Sequence, residues 1–465
     1  MPFVSRVAAV DIGATSGRVL VCSHDGRTLT VEEVHRFPNH PVETGGRWTW
    51  DIDALWSNVV EGLRAAASTG PLDSWGIDTW AVDYGVLDHA GRLLGPVYAY
   101  RDPRHMAGVA IADARVPWGV QYAIAGIQRL PFNTTYQLLA EAEPARLAVG
   151  EVLLVPDLLM AYATGVRATE LTNASSTALI DAAARTFAVE LMTELGLGGV
   201  RFPMLQRPGE RRGLTRVDGL PEIPVVTVAT HDTASAFAAV PMVDRRHAAV
   251  LSLGTWALIG TELDAPVLSQ AAREANFTNE IGVEDTVRFL KNVTGMWLFE
   301  ECRREWSECD AREVSVTELL DLAAQAGPSD ARIDPDDSRW AQPGFGAREL
   351  AASATGGVPE TRGALVQCIL ASIADRIAAN IGVLARLTER DFDVLHVVGG
   401  ASRIGLMMQL LADVTGLEVV AGPVEATALG NAGVQCIANG DFESIDAFRR
   451  WLSDAIDVER YSPAR

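Results

Sequence analysis

Cysteine is scarce in this chain of 465 residues: Cys22, Cys302, Cys309, Cys368 and Cys436 are odd in number and scattered, with no C-x-x-C pair. That excludes a disulfide framework and points to a reducing compartment. The eight histidines are equally dispersed, with no H-E-x-x-H and no Cys/His cluster along the sequence, which disfavours a zinc site. Basic residues are outnumbered, 39 against 60 acidic, for a net charge of -21. There is no basic stripe, which argues against a nucleic-acid partner. An anionic small substrate is not, because helix termini and a bound metal act locally. Long hydrophobic runs are also missing: the longest uncharged apolar stretch, Ala248 to Thr261, is too short to span a bilayer. The apolar run before Asp11 is too short for a secretory leader, and the expectation is a cytoplasmic protein with no membrane partner. No G-x-x-x-x-G-K-[ST], no G-x-G-x-x-G after a strand and no G-x-S-x-G occurs. These absences exclude a P-loop protein and weigh against a dinucleotide enzyme and an α/β-hydrolase.

What is present is an ordinary globular composition, 48% hydrophobic and 21% charged, in a chain long enough for two domains. The stretch Val225 to Phe237, VVTVATHDTASAF, reads as a buried parallel strand that stops at Thr230-His231-Asp232-Thr233 and gives way to a helix. Asp232 then sits at a strand's carboxyl end and a helix's positive end. It either caps that helix or meets a substrate hydroxyl in the place where open α/β sheets bind ligands. At the start of the chain, VAAVDIGATSGRVLV from Val7 to Val21 predicts a strand, a Gly-rich turn and a second strand. Gly13 and Gly17 are expected to permit a turn in which backbone N–H groups and the Thr15 and Ser16 hydroxyls converge, a nest that suits phosphate. A third strand, Thr28 to Phe37, makes this a β-meander, and apolar spacing predicts a helix over Ala54 to Ala67.

Asp78 and Asp83 fall close after another buried strand. Gly126 to Leu138, GIQRLPFNTTYQL, is either an active-site loop or a solvated loop tied by its own amides, and Thr172 to Thr177 is a hydroxyl-rich loop. Residues 200–222 read as an irregular connection. Ala248 to Thr261, AAVLSLGTWALIGT, repeats the layout of Ala8 to Val21, which is either a true repeat or a chance pairing of two Gly-turn hairpins. An amphipathic helix over Arg362 to Glu389 carries Leu365, Cys368, Ile369, Ile373, Ile377, Ile381 and Leu384 at helical spacing. It precedes a buried strand, Val394 to Val398, and then Gly399-Gly400, which is either a tight turn or a place where a flat ligand approaches the backbone. GPVEATALGNAG, Gly422 to Gly433, predicts a loop and a closely packed helix.

Together, VDIGATSGR at 10–18, the hairpin with Gly254-Thr255, the strand-borne Asp232 and VVGG at 397–400 resemble the FGGY carbohydrate kinases of the actin and hexokinase superfamily. The resemblance covers nearly the whole chain. GIDTWAVDY, AYRDPR, GIQRLPFNTTYQL, LTNASSTAL, THDTASA, SLGTWALIG, LKNVTGMWL and AGPVEATALGN are similar to the branch that acts on L-rhamnulose. The resemblance implies an α/β fold of two actin-like (ribonuclease H-like) domains with a ligand cleft between them. Residues 1–243 would carry the sugar site, the first phosphate hairpin and the catalytic Asp, and residues 244–465 the second hairpin and the adenosine site. It implies phosphoryl transfer from ATP with Mg²⁺ to the 1-hydroxyl of L-rhamnulose. Ala14, Thr15, Ser16, Gly17, Arg18 and Thr255 would hold phosphates, Asp11 the metal through water, and Gly400 the adenosine. His231, Asp232, Thr233 and Asn292 would meet the sugar, with Asp232 as general base. Three positions depart from the pattern: Ala81 replaces a Gly on the sugar side, Glu300 replaces a Gln near the nucleotide, and Arg403 and Ile404 follow the Gly pair where an Asn is usual. Competing expectations are a kinase for L-fuculose or xylulose and a non-catalytic sugar- or nucleotide-binding regulator.

Overall fold

The computed structural model describes residues 5–340 and 344–464. The chain divides into two compact units, one of residues 1–243, 262–289 and 426–456, the other of residues 244–261, 290–425 and 457–465. In the first, six strands form a sheet in the order Arg211–Leu214, Pro224–Val226, Ser74–Thr79, Ser5–Ile12, Ser16–His24, Leu29–Pro38. The last three are the antiparallel meander expected from the sequence, while Ser74–Thr79 joins Ser5–Ile12 in parallel. Both faces of this sheet are covered, and the alternation of side chains shows how. Ala8, Val10, Ile12, Val19 and Val21 face one core with Leu55, Val59 and Leu63 of the helix Ile52–Ser68. On the opposite face, Val7, Ala9, Leu20 and Cys22 pack on Ala428, Ala432 and Cys436 of the helix Ala426–Asn439. That helix also packs against Asp232–Ala238, the helix that begins at the candidate base.

Several local expectations change. The strand before Asp232 ends at Val226, and Thr227 beyond it is held by backbone bonds with Gly209 and Glu210, both at 2.8 Å. Residues 200–222 are not wholly irregular: Leu205–Gln206 and Arg211–Leu214 are strands, the latter pairing antiparallel with Pro224–Val226 at the sheet edge. Thr172 to Thr177 is no exposed loop but the buried helix Leu171–Ser175 and its end. Gly17 adopts no left-handed turn; it lies in the strand Ser16–His24 beneath Phe37, whose ring a Cβ there would meet at 2.2 Å. Its smallness serves packing between strands rather than turn geometry.

The second unit repeats the plan of the first. Ala248–Leu253 pairs antiparallel with Trp256–Leu263 and parallel with Val394–Val398, as Ser5–Ile12 does with Ser16–His24 and Ser74–Thr79. Each hairpin closes with a glycine N–H donating across the turn, Gly13 to Ser16 O and Gly254 to Trp256 O, both at 2.9 Å. The shared pattern of one antiparallel and one parallel partner favours the true repeat over chance, although the glycine bond spans three residues in the first turn and two in the second. Glu418–Ala421 and Glu459–Tyr461 extend this row of strands beyond Val394–Val398. The helix Arg362–Thr388 matches the expected apolar stripe, with Leu365, Cys368, Ile369, Ile373, Ile377, Ile381 and Leu384 all buried. Among the described residues it is one helix long and apolar enough to cross a membrane, but 61% of that apolar window is buried inside the protein, as a core helix requires.

Candidate active site

The first unit brings the carboxyl ends of three parallel strands together by hydrogen bonds beyond the ladders. Trp80 N–H donates to Ile12 O at 3.2 Å, and Thr79 N–H donates to Thr230 O at 2.9 Å. These bonds place Asp11, Asp78, Ala81, His231 and Asp232 at one edge of the sheet. Asp11 and Asp78 are register partners on adjacent strands. Asp11 is 7% exposed and ion-paired with Arg18 Nη2 at 2.7 Å. Asp78 is wholly buried; its Oδ2 accepts from Asn431 Nδ2 at 2.7 Å, while its Oδ1 has no hydrogen-bond partner. Burial, with the Asp11 charge beside it, pushes the Asp78 carboxyl well above the usual range. Hard carboxylate oxygens, one of them buried and unpartnered, form a donor set that fits Mg²⁺. Thr15 is exposed and Ser16 half-buried at the tip of the hairpin, with Ala14 and Arg18 half-buried beside them.

Asp232 is the first residue of its helix, with His231 at the cap position and making no side-chain capping bond. The Asp232 carboxylate is about one-third exposed; Oδ1 accepts from its neighbour Thr233, N at 2.5 Å and Oγ1 at 3.0 Å. The capping and catalytic alternatives are therefore compatible, since Oδ1 serves the helix start and the side chain remains partly open. His231 lies between two carboxylates, with Nε2 3.3 Å from Asp232 Oδ1 and Nδ1 3.3 Å from Glu280 Oε2. Glu280 Oε2 is in turn 3.1 Å from Arg288 Nη1. Burial pushes the Glu280 carboxyl up, but Arg288 and His231 outweigh it and hold the group below its ordinary value. Arg288, 1% exposed, is a buried cation whose charge faces Glu280, Glu170, Asp232 and Glu262.

Ala81 is half-buried and starts a tight three-residue turn in which Asp83 N–H donates to Ala81 O at 3.0 Å. Val82 at its centre has φ 69°, a conformation that a β-branched residue adopts only under constraint. Thr134 Oγ1 and Gln137 Nε2 supply that constraint by donating to Val82 O at 2.8 and 3.3 Å. Asp83 completes it: its buried carboxylate accepts from Trp50 Nε1, Trp80 Nε1, Tyr100 N and Gln137 Nε2 at 2.7 to 3.0 Å. The stretch Gly126 to Leu138 is thus not a solvated loop, since Gln128, Asn133, Thr134, Thr135 and Gln137 are all buried, and Thr134 and Gln137 brace the turn beside Ala81.

In the second unit, Thr255 stands exposed at the hairpin tip. Its carbonyl accepts from Gly295 N at 3.2 Å and Trp297 N at 3.3 Å, tying the tip to the helix Trp297–Asp310. Glu300, in the first turn of that helix, pairs with Arg303 Nη2 at 2.7 Å, so its charge is compensated locally. Asn292 is half-buried on the strand Val287–Thr294, which runs directly into Gly295. Gly399 has φ 91° and needs to be glycine; Gly400 after it is exposed, and a Cβ there would meet nothing within 4 Å. The second unit therefore gathers Thr255, Glu300 and Gly400 near the carboxyl ends of Ala248–Leu253 and Val394–Val398.

Sequence reasoning missed Glu170, Glu280 and Arg288, charged residues that the fold buries among polar partners. The signal available was a charge next to a strand-like run, as in RATELTNASS and NFTNEIG. It also missed a buried trio, His24, Cys436 and Asp441, whose ligand atoms lie within 4.8 Å of one another. His24 Nδ1 accepts from Gly26 N at 3.3 Å, which leaves the proton on Nε2 to be donated to Asp441 at 3.1 Å. That tautomer makes the trio a hydrogen-bonded knot between strand and helix rather than a ligand set.

Residues 7–238 match the N-terminal domain, and residues 249–439 the C-terminal domain, of the FGGY family of carbohydrate kinases. The chain is 41% identical to a rhamnulokinase of Bacteroides thetaiotaomicron over 98% of its own length and 95% of that protein's. It is 38% identical to one of Lactiplantibacillus plantarum, over 98% and 94%. Among solved structures, it is similar in fold to a gluconate kinase from Lactobacillus acidophilus, with a TM-score of 0.81 at 15% identity over 99% of this chain and 94% of that one. A glycerol kinase from Plasmodium falciparum with ADP gives 0.80 at 16% identity over the same shares. The chain belongs to the FGGY family of carbohydrate kinases.

Proposed function

We propose that this chain transfers the γ-phosphoryl group of ATP to the 1-hydroxyl of L-rhamnulose, with Asp232 as the general base. The observation that carries the proposal is Asp232 itself: it is partly open at the joined strand ends, while Asp78, Glu170 and Glu280 around it are buried. In the reaction the substrate O1 bonds to the γ-phosphorus, the bond from that phosphorus to the ADP oxygen breaks, and the O1 proton passes to the Asp232 carboxylate. Positioning and charge stabilisation supply most of the rate in such transfers, so Asp232 chiefly aims the hydroxyl. His231 and Thr233 on either side, with Ala81 and Asn292, are assigned to the sugar. Ala14 to Arg18 and Thr255 are assigned to the phosphates, Gly400 to the adenosine, and Glu300, already paired with Arg303, to the nucleotide's edge.

Asp11, with Asp78 beside it, would hold Mg²⁺, which neutralises phosphate charge when bound. A cytoplasmic location fits the use of ATP and the thiols of all five cysteines, which are free. Kinases for L-fuculose or xylulose and a silent regulator are less well supported, because the 38 to 41% identical relatives are named rhamnulokinases and Asp232 and both hairpins are in place. A ketose panel with ADP readout tests the substrate, and Asp232→Asn tests the base. The amide keeps the contacts to Thr233, so the variant is expected to fold and to bind both substrates, with kcat reduced roughly 10²- to 10⁴-fold. Near-normal turnover would remove Asp232 from the chemistry.

A further inference from the structure

Glu170 is fully buried and carries more hydrogen bonds than a helix cap needs. Its Oε1 accepts from Thr172 N at 2.6 Å, and its Oε2 accepts from Thr172 Oγ1 and Asn173 N at 2.7 and 2.9 Å. Those bonds cap the helix Leu171–Ser175. The same Oε2 also accepts from Thr230 N at 3.1 Å and Thr230 Oγ1 at 2.9 Å, across 60 residues of sequence. Thr230 lies two residues before Asp232, and its carbonyl is held from the other side by Thr79 N. Glu170 is itself anchored: its N–H donates to both oxygens of Asp157 at 3.2 and 3.1 Å, and Asp157 is ion-paired with Arg212 at 2.9 Å, both side chains without exposed surface.

We propose that Glu170 is a positioning residue for phosphoryl transfer, clamping Thr230 from the buried side so that the following His231–Asp232 backbone aims the base at the sugar hydroxyl. The proposal rests on Asp232 being that base. Past Thr227, whose backbone still pairs with Gly209 and Glu210 at 2.8 Å, Thr230 N–H would be a buried donor without a partner if Glu170 did not accept from it. The charged acceptor gives both Thr230 groups one fixed point, and charge-assisted bonds of this kind are short and directional. Arg288, whose charge faces Glu170 as well as Glu280 and Asp232, offsets the concentration of negative charge.

The test compares Thr230→Val, Glu170→Gln, their double variant, Thr172→Val and Asp232→Asn by kcat, both KM values and thermal unfolding. Thr230→Val keeps the shape and the hydrogen bond from its backbone N–H to Glu170 and loses only the hydroxyl contact. It is expected to lower kcat roughly 10-fold with the KM for ATP unchanged, and Glu170→Gln up to roughly 100-fold, as misplacement of a reacting group does. The double variant is expected to match Glu170→Gln alone, because both changes act on one contact. Thr172→Val removes a bond on the cap side only, and its kcat should stay within about twofold of the parent. If Thr230→Val turns over normally while Asp232→Asn does not, Glu170 is only a cap and the clamp is refuted. A fall in Tm without a fall in kcat, or additive effects in the double variant, refutes it equally. Should Asp232→Asn retain activity, it is the base assignment that fails. If Glu170→Gln does not fold, Thr230→Val still decides the matter.

Discussion

Replacing Asp83 by Asn isolates the cost of the buried charge that holds the turn beside Ala81. Burial pushes this carboxyl from 3.8 up to about 6, against the opposing pull of Gln137, Trp50, Trp80 and Tyr100. A raised value in the fold means that the native state binds the proton more tightly than the unfolded chain between those two pH values. The associated stability is fully present below about pH 4 and is lost as pH rises through about 6. The gap corresponds to roughly 3 kcal/mol. Asn cannot titrate, so the stability of the parent minus that of Asp83→Asn should fall by about that amount between pH 4 and pH 7. Asp157, also pushed up to about 6, is common to both proteins and cancels in the difference.

The amide has its own penalty at every pH. Its oxygen can keep the three donors on Oδ2, but its NH₂ then faces Gln137 Nε2, which also donates to Phe132 O at 2.9 Å and cannot reverse without losing that bond. One buried donor left unmet costs about 1–3 kcal/mol, so at pH 7 the two effects nearly cancel and at pH 4 the variant is clearly weaker. Urea unfolding of both proteins from pH 4 to 8 measures this. Parallel stability profiles would refute the premise that Asp83 is a desolvated charge. Loss of the Gln137 bond should also loosen the Val82 turn, raising the KM for the ketose more than that for ATP.

Two further substitutions probe the proposed substrate contacts one at a time. Ala81→Gly removes a methyl group beside the strained turn and should narrow the ratio of kcat/KM between L-rhamnulose and bulkier or epimeric ketoses by about 1–3 kcal/mol of discrimination; unchanged ratios would make Ala81 mere packing. In Gly295→Ala the new Cβ would stand 2.5 Å from Gly254 O and 2.6 Å from Trp256 C, all backbone, so the second hairpin must move. The expected cost is about 1–3 kcal/mol of stability and a higher KM for ATP, with the KM for the ketose unaffected; an unaltered ATP dependence would detach this hairpin from the nucleotide.

The strands and long helices were legible because their causes are local. Unbroken apolar runs within Ala8 to Val21 and Ala248 to Thr261 mark strands buried on both faces, and the stripe from Leu365 to Leu384 fixes a helix. The polar stretches misled for a physical reason. Thr172 to Thr177 read as a hydroxyl-rich loop, yet Ser175, Ser176 and Thr177 each donate their hydroxyl to a carbonyl three residues back, at 2.6 to 2.7 Å. A hydroxyl satisfied within its own turn can be buried at little cost, so composition alone overstates exposure. Contacts such as Glu170 with Thr230, or Asp83 with Trp50, join residues that no periodicity links, and they were invisible for that reason.

The same distinction sorts the site's polar residues by task. A side chain that must exchange partners with a substrate has to retain access, as Asp232 does at about one-third exposure. One that is fully enclosed, with its acceptors already taken by fixed donors, has nothing left to offer a ligand and can only hold other groups in place. Glu170 and Asp83 are of this second kind. The polar motifs of this site therefore mix groups left open to a ligand with groups that hold others in place, and burial separates the two where sequence does not.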